Sequence, residues 1–248
     1  VKQARLQECV VHLRRQYDLI YRKAPEKRAV SIHCFGAFEM SCETEIKWGT
    51  RRVRALLLYL IGQNGAPVSR TELLDALFDG RNDKNTVHNL HMTIYRLKSL
   101  LAALDPQGER IRLTEENALS IAPGICDYTD FMRFARGNAV ISEENAERAA
   151  QVLSLYRGAY LSREGYDWAS ESALEAEAAY ERIALGLVGC HLASGRTQEA
   201  ENVLTGLLCL NAFCEEAHTL LLDLSLEIRN RSTYLTRYEQ YARILKNE

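Results

Sequence analysis

Apolar and polar residues alternate in one early stretch of the chain and follow a helical spacing on both sides of it. From Val30 to Met40 the period is two, which predicts a strand or a tight pair of strands, with Gly36 at a bulge or turn. A second short strand is predicted over 41–48. Apolar positions at spacings of three and four predict one helix over 2–24. We interpret this predicted helix as a linker that packs on a neighbouring element. A dimerising or signalling helix is the alternative interpretation.

Three helical patterns and a hairpin follow. The first helix is predicted over 50–62, with Thr50 as its cap, and a capping box of Ser69 and Glu72 starts the second. The third is predicted over 86–104, because apolar residues recur at spacings of three and four. Alternation then predicts a hairpin over 111–123. A small sheet, three helices and a hairpin, in this order, predict a winged helix-turn-helix.

From residue 127 onward the pattern is helical throughout. Small residues such as Ala193, Gly195 and Ala200 stand between larger ones, which is typical of stacked helix-turn-helix repeats of the tetratricopeptide kind. The predicted helices are 127–136, 143–161, 168–194, 198–210, 214–229 and 233–246. The predicted fold class is therefore mainly α with small β-sheets, a winged helix-turn-helix domain followed by an all-α tetratricopeptide-like domain. The predicted divisions are a linker helix over 1–29, a DNA-binding domain over 30–126 and a helical domain over 127–248.

The composition is that of a globular protein with an ordinary core, 47% hydrophobic and 26% charged. The longest apolar run, Ala55 to Ile61, is too short to span a bilayer, and no signal-peptide pattern opens the chain. The 7 cysteines form no Cys-x-x-Cys pair, which favours a reducing cytoplasm over a disulfide framework. We expect a cytoplasmic protein without membrane contact. The chain opens on Val1 inside a helical pattern, so a longer protein is expected.

The net charge of −2 is unevenly distributed along the chain. Residues 1–30 carry a net charge of +5, residues 31–115 carry +1, and residues 116–248 carry −8. Because a phosphate backbone repels acidic surfaces, contact with nucleic acid is expected from the first half of the chain.

The third predicted helix offers a polar face opposite its apolar stripe. The apolar stripe consists of Val87, Leu90, Ile94, Leu97, Leu101 and Leu104. The opposite face carries Asn85, His88, Asn89, Met92, Tyr95, Arg96 and Ser99. Such a face has hydrogen-bonding, aromatic and cationic groups and almost no acid, which suits the major groove of DNA. A solvated surface helix is the alternative.

Further cations lie where a winged helix would meet phosphates. Arg51 and Arg52 stand in the first turn of the first helix, where the helix dipole disfavours cations by a few tenths of a kcal/mol. A phosphate partner would remove that cost. The start of the second helix and the wing strand also offer groups for the DNA backbone, among them Arg112.

The ordered motifs resemble the antibiotic-regulatory-protein (SARP-type) transcriptional activators, which join an OmpR-like winged helix to a bacterial transcriptional activator domain. The segments RRVRALLLYL, PVSRTELLDALF and NLHMTIYRLKSLL follow the family's first, second and recognition helices. CDYTDF, LYRGAYL and Trp168 continue the likeness through the helical half, so that it covers about residues 31–245. Phe78 stands where the family often has tryptophan, and His91 where it commonly has arginine.

The resemblance implies a DNA-binding transcriptional regulator, and an activator, since the family consists of activators. It implies contact with double-stranded promoter DNA and RNA polymerase, a homodimer on DNA, and an upstream receiver domain of a two-component system or another sensor. DNA contact is carried over to Arg51, Arg52, Ser69, Arg70 and the exposed residues of the recognition helix. Arg96 and Asn89 are the expected base readers, because arginine pairs with guanine and asparagine with adenine.

Two other classes of function compete with this one. An enzyme is disfavoured: His88 and His91 lack a third metal ligand at a matching step, and the sequence has no phosphate-cradling loop and no nucleophile elbow. We therefore expect no catalytic residues, metal or cofactor. A protein-binding adaptor, which would use the helical repeats, is the alternative function. The near-neutral charge of residues 31–115 favours it, and the salt dependence of DNA binding would distinguish the two.

Overall fold

The structure, a computed structural model, describes residues 30–42, 45–227 and 230–246. The predicted helix over 2–24 and the predicted linker over 1–29 lie outside these residues. The chain divides into two compact units. Within the described residues, the first unit comprises residues up to 136 together with 155–177, and the second comprises 137–154 and everything from 178 onward.

The first unit contains two small antiparallel sheets, four helices and the first nine residues of a fifth helix among its described residues. The strands are β1 (Val30–His33), β2 (Glu39–Cys42), β3 (Ile111–Leu113) and β4 (Leu119–Ile121). The helices are α1 (Arg51–Gly62), α2 (Arg70–Phe78), α3 (Lys84–Leu104) and α4 (Asp127–Gly137). Pairing joins β1 to β2 and β3 to β4. The predicted order of a sheet, three helices and a hairpin is confirmed.

The first hairpin forms because β1 buries alternate side chains and then turns sharply. Val30 and Ile32 are fully buried, and Gly36 adopts a φ of 87°, which a residue with a side chain rarely tolerates. The register pairs Ser31 with Ser41. The prediction of a strand over 41–48 was wrong for its second part, because β2 already ends at Cys42 and residues 45–48 form no strand.

Local sequence signals set the bounds of α1 and α2. Thr50 occupies the N-cap position of α1 in an extended conformation, although its side chain makes no capping hydrogen bond. In α2 the predicted capping box is present: the Ser69 backbone N–H donates to Glu72 Oε2 at 2.7 Å, and the Glu72 N–H donates to Ser69 Oγ at 3.2 Å. The helix α2 ends at Phe78, because the next residue, Asp79, adopts a left-handed φ of 55°.

The helix α3 begins two residues earlier than the pattern predicts. Asp83 is its N-cap, and its carboxylate accepts hydrogen bonds from the backbone N–H groups of Asn85 at 2.9 Å and Thr86 at 3.0 Å. Leu90 and Leu97 are fully buried. The buried side of the helix packs against α1, α2 and β3.

Residues 155–177 complete the core of the first unit. The Tyr160 hydroxyl donates to the Leu58 carbonyl oxygen of α1 at 2.6 Å, and the guanidinium of Arg54 meets the carboxylate of Glu164 at 2.7 Å. An isolated bridge pairs Phe35 with Tyr160. These contacts tie a segment late in the sequence to the first sheet and to α1.

The predicted helix over 143–161 was too long. The observed helix, α5 (Glu143–Leu153), ends eight residues earlier. Tyr160 is buried in the first unit, and the chain reaches that position through turns in which Gly158 has a φ of 148° and Leu161 a φ of 51°. A continuing helix cannot adopt these angles, so burial of the tyrosine overrides the helical pattern.

The second unit consists of packed helices, and the bounds of the remaining elements lie within three residues of those predicted. These are α6 (Ala169–Ala193), whose first nine residues belong to the first unit, α7 (Thr197–Leu210), α8 (Glu215–Glu227) and α9 (Arg231–Leu245). Small residues allow close packing: Ala200 and Ala217 are fully buried, and a Cβ on Gly186 would lie 2.9 Å from Ile141 Cγ1. The predicted fold class, mainly helical with small sheets and a tetratricopeptide-like helical region, is confirmed. The predicted division at residue 127 stays a prediction.

Candidate nucleic-acid interface

The polar side of α3 is exposed along its whole length. All seven residues predicted to face DNA are exposed, with Tyr95 at 65% and Met92 at 38% of their full accessible surface. Five of them, at about 100° per residue, fall within about 40° of one line along the helix. We call these five the reading face: Asn85, Asn89, Met92, Arg96 and Ser99.

Residues beside the reading face extend it to one side. His88 and Tyr95 lie along this edge, both exposed. The Ser99 hydroxyl donates to the Tyr95 carbonyl oxygen at 3.0 Å, so its hydrogen is used within the helix and its oxygen is left to accept. The reading face therefore combines amide, thioether, guanidinium and hydroxyl groups and includes no carboxylate.

One acidic residue lies at the N-terminal end of α3. Hydrogen bonds from the side chain and the backbone of Thr86 lower the pKa of Asp83 from its usual value. The carboxylate thus stays charged at neutral pH and satisfies the first N–H groups of the helix. Because it occupies these donors, the tip of α3 is not a free anion site, and contact with DNA is expected from side chains farther along the helix.

The first turn of α1 presents two exposed arginines. Arg51 and Arg52 are both exposed, and the Arg52 guanidinium carbon lies 4.6 Å from the centre of the Phe78 ring at the end of α2. Arg54 differs, because its guanidinium binds Glu164 at 2.7 Å and lies 4.9 Å from the ring centre of Phe38. The guanidinium of Arg54 is therefore held by contacts within the first unit.

The start of α2 places Ser69 and Arg70 at the surface. Both are exposed. Hydrogen bonds from Ser69 hold the pKa of Glu72 below its usual value, so the capping box carries a negative charge at neutral pH. The structure thus shows Ser69 in the role of a helix cap. Of these two, Arg70 is the stronger candidate for a phosphate, because it has the positive charge.

The wing presents Arg112 from the middle of β3. Its neighbours Ile111 and Leu113 are buried, so Arg112 points away from the core and stands opposite Ser120. The tip of the wing is held in place by Asn117, whose side-chain N–H donates to the Val68 carbonyl oxygen at 3.1 Å. The wing is therefore anchored to the loop that leads into α2.

All twelve predicted DNA-contacting residues thus lie on exposed parts of the first unit. The contacts among α1, α2, α3 and β3 bring their elements together. The residues that brace these elements, namely the Arg54–Glu164 pair and Tyr160, were not among those predicted. No sequence signal identifies such a pair, because its members are 110 residues apart.

A buried cluster of Cys34, Cys126 and Asp127 is the one group of described residues whose ligand atoms lie close enough to hold a metal ion, within 4.8 Å of one another. Its chemistry fits a structural role better. Asp127 Oδ1 accepts hydrogen bonds from the backbone N–H groups of Cys34 and Tyr128, each at 2.7 Å, and Oδ2 lies 3.3 Å from Arg157 Nη2. Burial raises the pKa of the Cys34 thiol well above its usual value, which disfavours the thiolate that a metal requires.

Comparisons with known proteins bear on the fold. Residues 169–224 match the tetratricopeptide repeat family. The chain is similar in structure to Mycobacterium tuberculosis EmbR in complex with a low-affinity phosphopeptide, with a TM-score of 0.66 and 20% sequence identity. The match covers 89% of this chain and 60% of EmbR, so this chain spans less than two thirds of that protein.

At 20% sequence identity, the likeness to EmbR shows a shared fold alone. No curated protein matches the sequence. Among the described residues, no helix has both the length and the apolar character needed to cross a membrane.

Proposed function

We propose that this protein is a sequence-specific DNA-binding transcriptional regulator of the SARP type. The observation that carries the proposal is the exposed, carboxylate-free reading face of α3, set opposite a stripe that the fold buries. The shared fold with EmbR supports it, and the three motifs that resemble the SARP helices fall on α1, α2 and α3. The confirmed winged-helix order supports it as well.

In the proposed complex, α3 lies in the major groove of double-stranded promoter DNA. Arg96 and Asn89 read bases, with about 1–3 kcal/mol of discrimination for each good bidentate pair. Phosphates are bound by exposed groups around α3, which fix its position on the duplex without reading sequence. These groups are Arg51, Arg52, Ser69, Arg70 and Arg112.

The helical region has a regulatory role in this proposal. It provides contacts for a homodimer on repeated half-sites, because one winged helix reads few base pairs. It also contacts RNA polymerase, and an upstream receiver or other sensor domain controls it in the cytoplasm. These partners are inferred from the resemblance, as is activation of transcription.

The first experiment is a salt titration of binding to genomic DNA fragments by the whole chain. A regulator should bind one fragment selectively, and the logarithm of its affinity should fall linearly with the logarithm of salt concentration. Arg96→Ala should lower affinity for that fragment about 5-fold to 150-fold, as expected from about 1–3 kcal/mol, with less effect on unrelated DNA.

Lys98→Ala is the matched control, because it removes an exposed cation from the same helix outside the reading face. Its effect should be small and similar on every fragment. If wild type and both variants bind all fragments alike at every salt concentration, sequence-specific recognition by α3 is excluded.

A protein-binding adaptor is the second candidate. Large apolar side chains are exposed in the second unit, among them Phe213 at 60% and Tyr238 at 53%. Helical repeats commonly bind other proteins through extended surfaces. Absence of DNA binding together with binding of a protein partner that Phe213→Ala abolishes would favour this function.

A further inference from the structure

Met92 occupies a distinctive position on the reading face. A single exposed methionine is ordinary on a protein surface, so its 38% exposure alone carries little weight. Its location is informative because it lies about 20° from the centre line of the reading face, at about 100° per residue. Leu90 and Leu97, on the buried side of the same helix, are fully covered. The fold thus keeps this apolar side chain among the groups that would face a partner.

Two polar readers flank Met92 along α3. Asn89 precedes it by three residues and Arg96 follows it by four, which at about 1.5 Å per residue places them about 4.5 Å and about 6 Å away along the axis. The amide of Asn89 matches the major-groove edge of adenine, and the guanidinium of Arg96 matches that of guanine. The thioether of Met92 matches neither edge, because it carries no strong donor or acceptor.

Only one base offers an apolar group in the major groove, the C5-methyl of thymine. Building on the DNA-binding function proposed above, we propose that Met92 packs against the methyl group of a thymine in the recognised half-site. Met92 lies between Asn89 and Arg96 along the axis of α3, so the base it contacts lies between the bases that those two residues read. The thymine therefore belongs to a base pair between those read by Asn89 and Arg96.

The test begins with selection of bound duplexes from a random-sequence library by the whole wild-type chain. In the selected duplex, each thymine is replaced in turn by deoxyuridine, which removes only the methyl group. We expect one position per half-site at which this replacement weakens binding about fourfold, which corresponds to about 0.8 kcal/mol for one buried methyl group. Selection with Asn89→Ala and Arg96→Ala should relax base preference on either side of that position.

Variants of Met92 assign the effect to this side chain. Met92→Ala should bind the thymine and deoxyuridine duplexes almost equally, whereas Met92→Leu, which keeps an apolar side chain of similar volume, should retain most of the difference. Thymines outside the half-site serve as internal controls. Because Met92 is exposed, both variants should keep the wild-type circular dichroism spectrum.

Three results would overturn the inference, and they differ in what they say about the proposed function. If a selective duplex is obtained but no methyl effect depends on Met92, or if the sensitive position lies outside the interval set by Asn89 and Arg96, the thymine contact is wrong and the DNA-binding function stands. If selection yields no preferred sequence, the proposed function and this inference both fail.

Discussion

Tyr160 offers the sharpest test of how the first unit is built. It lies in the half of the chain that the sequence assigns to the helical domain, yet it is 2% exposed and its hydroxyl donates to the Leu58 carbonyl oxygen of α1 at 2.6 Å. Burial raises the pKa of this hydroxyl well above its usual value, so it remains a donor at neutral pH. Substitutions at Tyr160 should therefore destabilise the unit that carries the reading face.

The expected magnitudes follow from the contacts that each variant removes. Tyr160→Phe deletes one buried hydrogen bond and should lower the free energy of unfolding by about 1 kcal/mol. Tyr160→Ala also removes the ring that packs against Tyr128, with ring centres 4.2 Å apart, and should cost about 3–5 kcal/mol. Tyr238→Ala, which truncates an exposed tyrosine of α9, should change stability little.

Urea denaturation followed by two signals can separate the units. The only two tryptophans of the chain, Trp48 and Trp168, both belong to the first unit, so tryptophan fluorescence reports on it selectively. Far-UV circular dichroism reports on the helices of both units. The fluorescence midpoint should fall in the order wild type, Tyr160→Phe, Tyr160→Ala.

If, in a Trp168→Phe background in which Trp48 alone reports, Tyr160→Ala lowers the dichroism transition and leaves the fluorescence transition unchanged, residues 155–177 are not part of the first unit. The division predicted at residue 127 would then be the better description of the chain.

Three further substitutions test other contacts of the first unit. Gly62→Ala should destabilise it by about 1–3 kcal/mol in thermal unfolding, because the new Cβ would lie 2.9 Å from Ser172 Oγ, and a second change, Ser172→Ala, should restore part of the loss. Ser69→Ala should cost about 1 kcal/mol by removing the cap of α2. Since hydrogen bonds from Ser69 lower the pKa of Glu72, the charged Glu72 carboxylate stabilises the fold at neutral pH, and this stabilisation is lost as the pH falls through the lowered pKa. Wild type should therefore lose more stability on acidification than Ser69→Ala. Equal losses would contradict this origin of the pKa shift. Asp127→Ala should cost about 2–5 kcal/mol in urea denaturation, because it leaves two buried backbone N–H groups without their acceptor, and full stability of this variant would refute the structural role of the cluster.

The exposed face of α3 could be predicted from the sequence because it depends on local rules. The spacing of Leu90, Leu97 and Leu101 determines which side of α3 is buried, and the opposite side is then exposed without further information. The capping box of Ser69 and Glu72 starts α2 for a similarly local reason. That these exposed residues touch DNA stays a prediction, since exposure is necessary for contact and does not establish it.

Only the tertiary structure decided the contacts between residues that lie far apart in the sequence. Helical periodicity predicted that this helix would run to residue 161. In the structure α5 ends at Leu153, because Tyr160 is buried against α1. Arg54 follows Arg51 and Arg52 closely in the sequence, and only the fold pairs it with Glu164. These partners are about a hundred residues apart, and nothing in the sequence around either one indicates the other. The sequence by itself therefore determined most of the helices and strands and the exposed face of α3, because their signals repeat within a few residues. The folded chain alone determined which distant segment packs against the unit that carries this face.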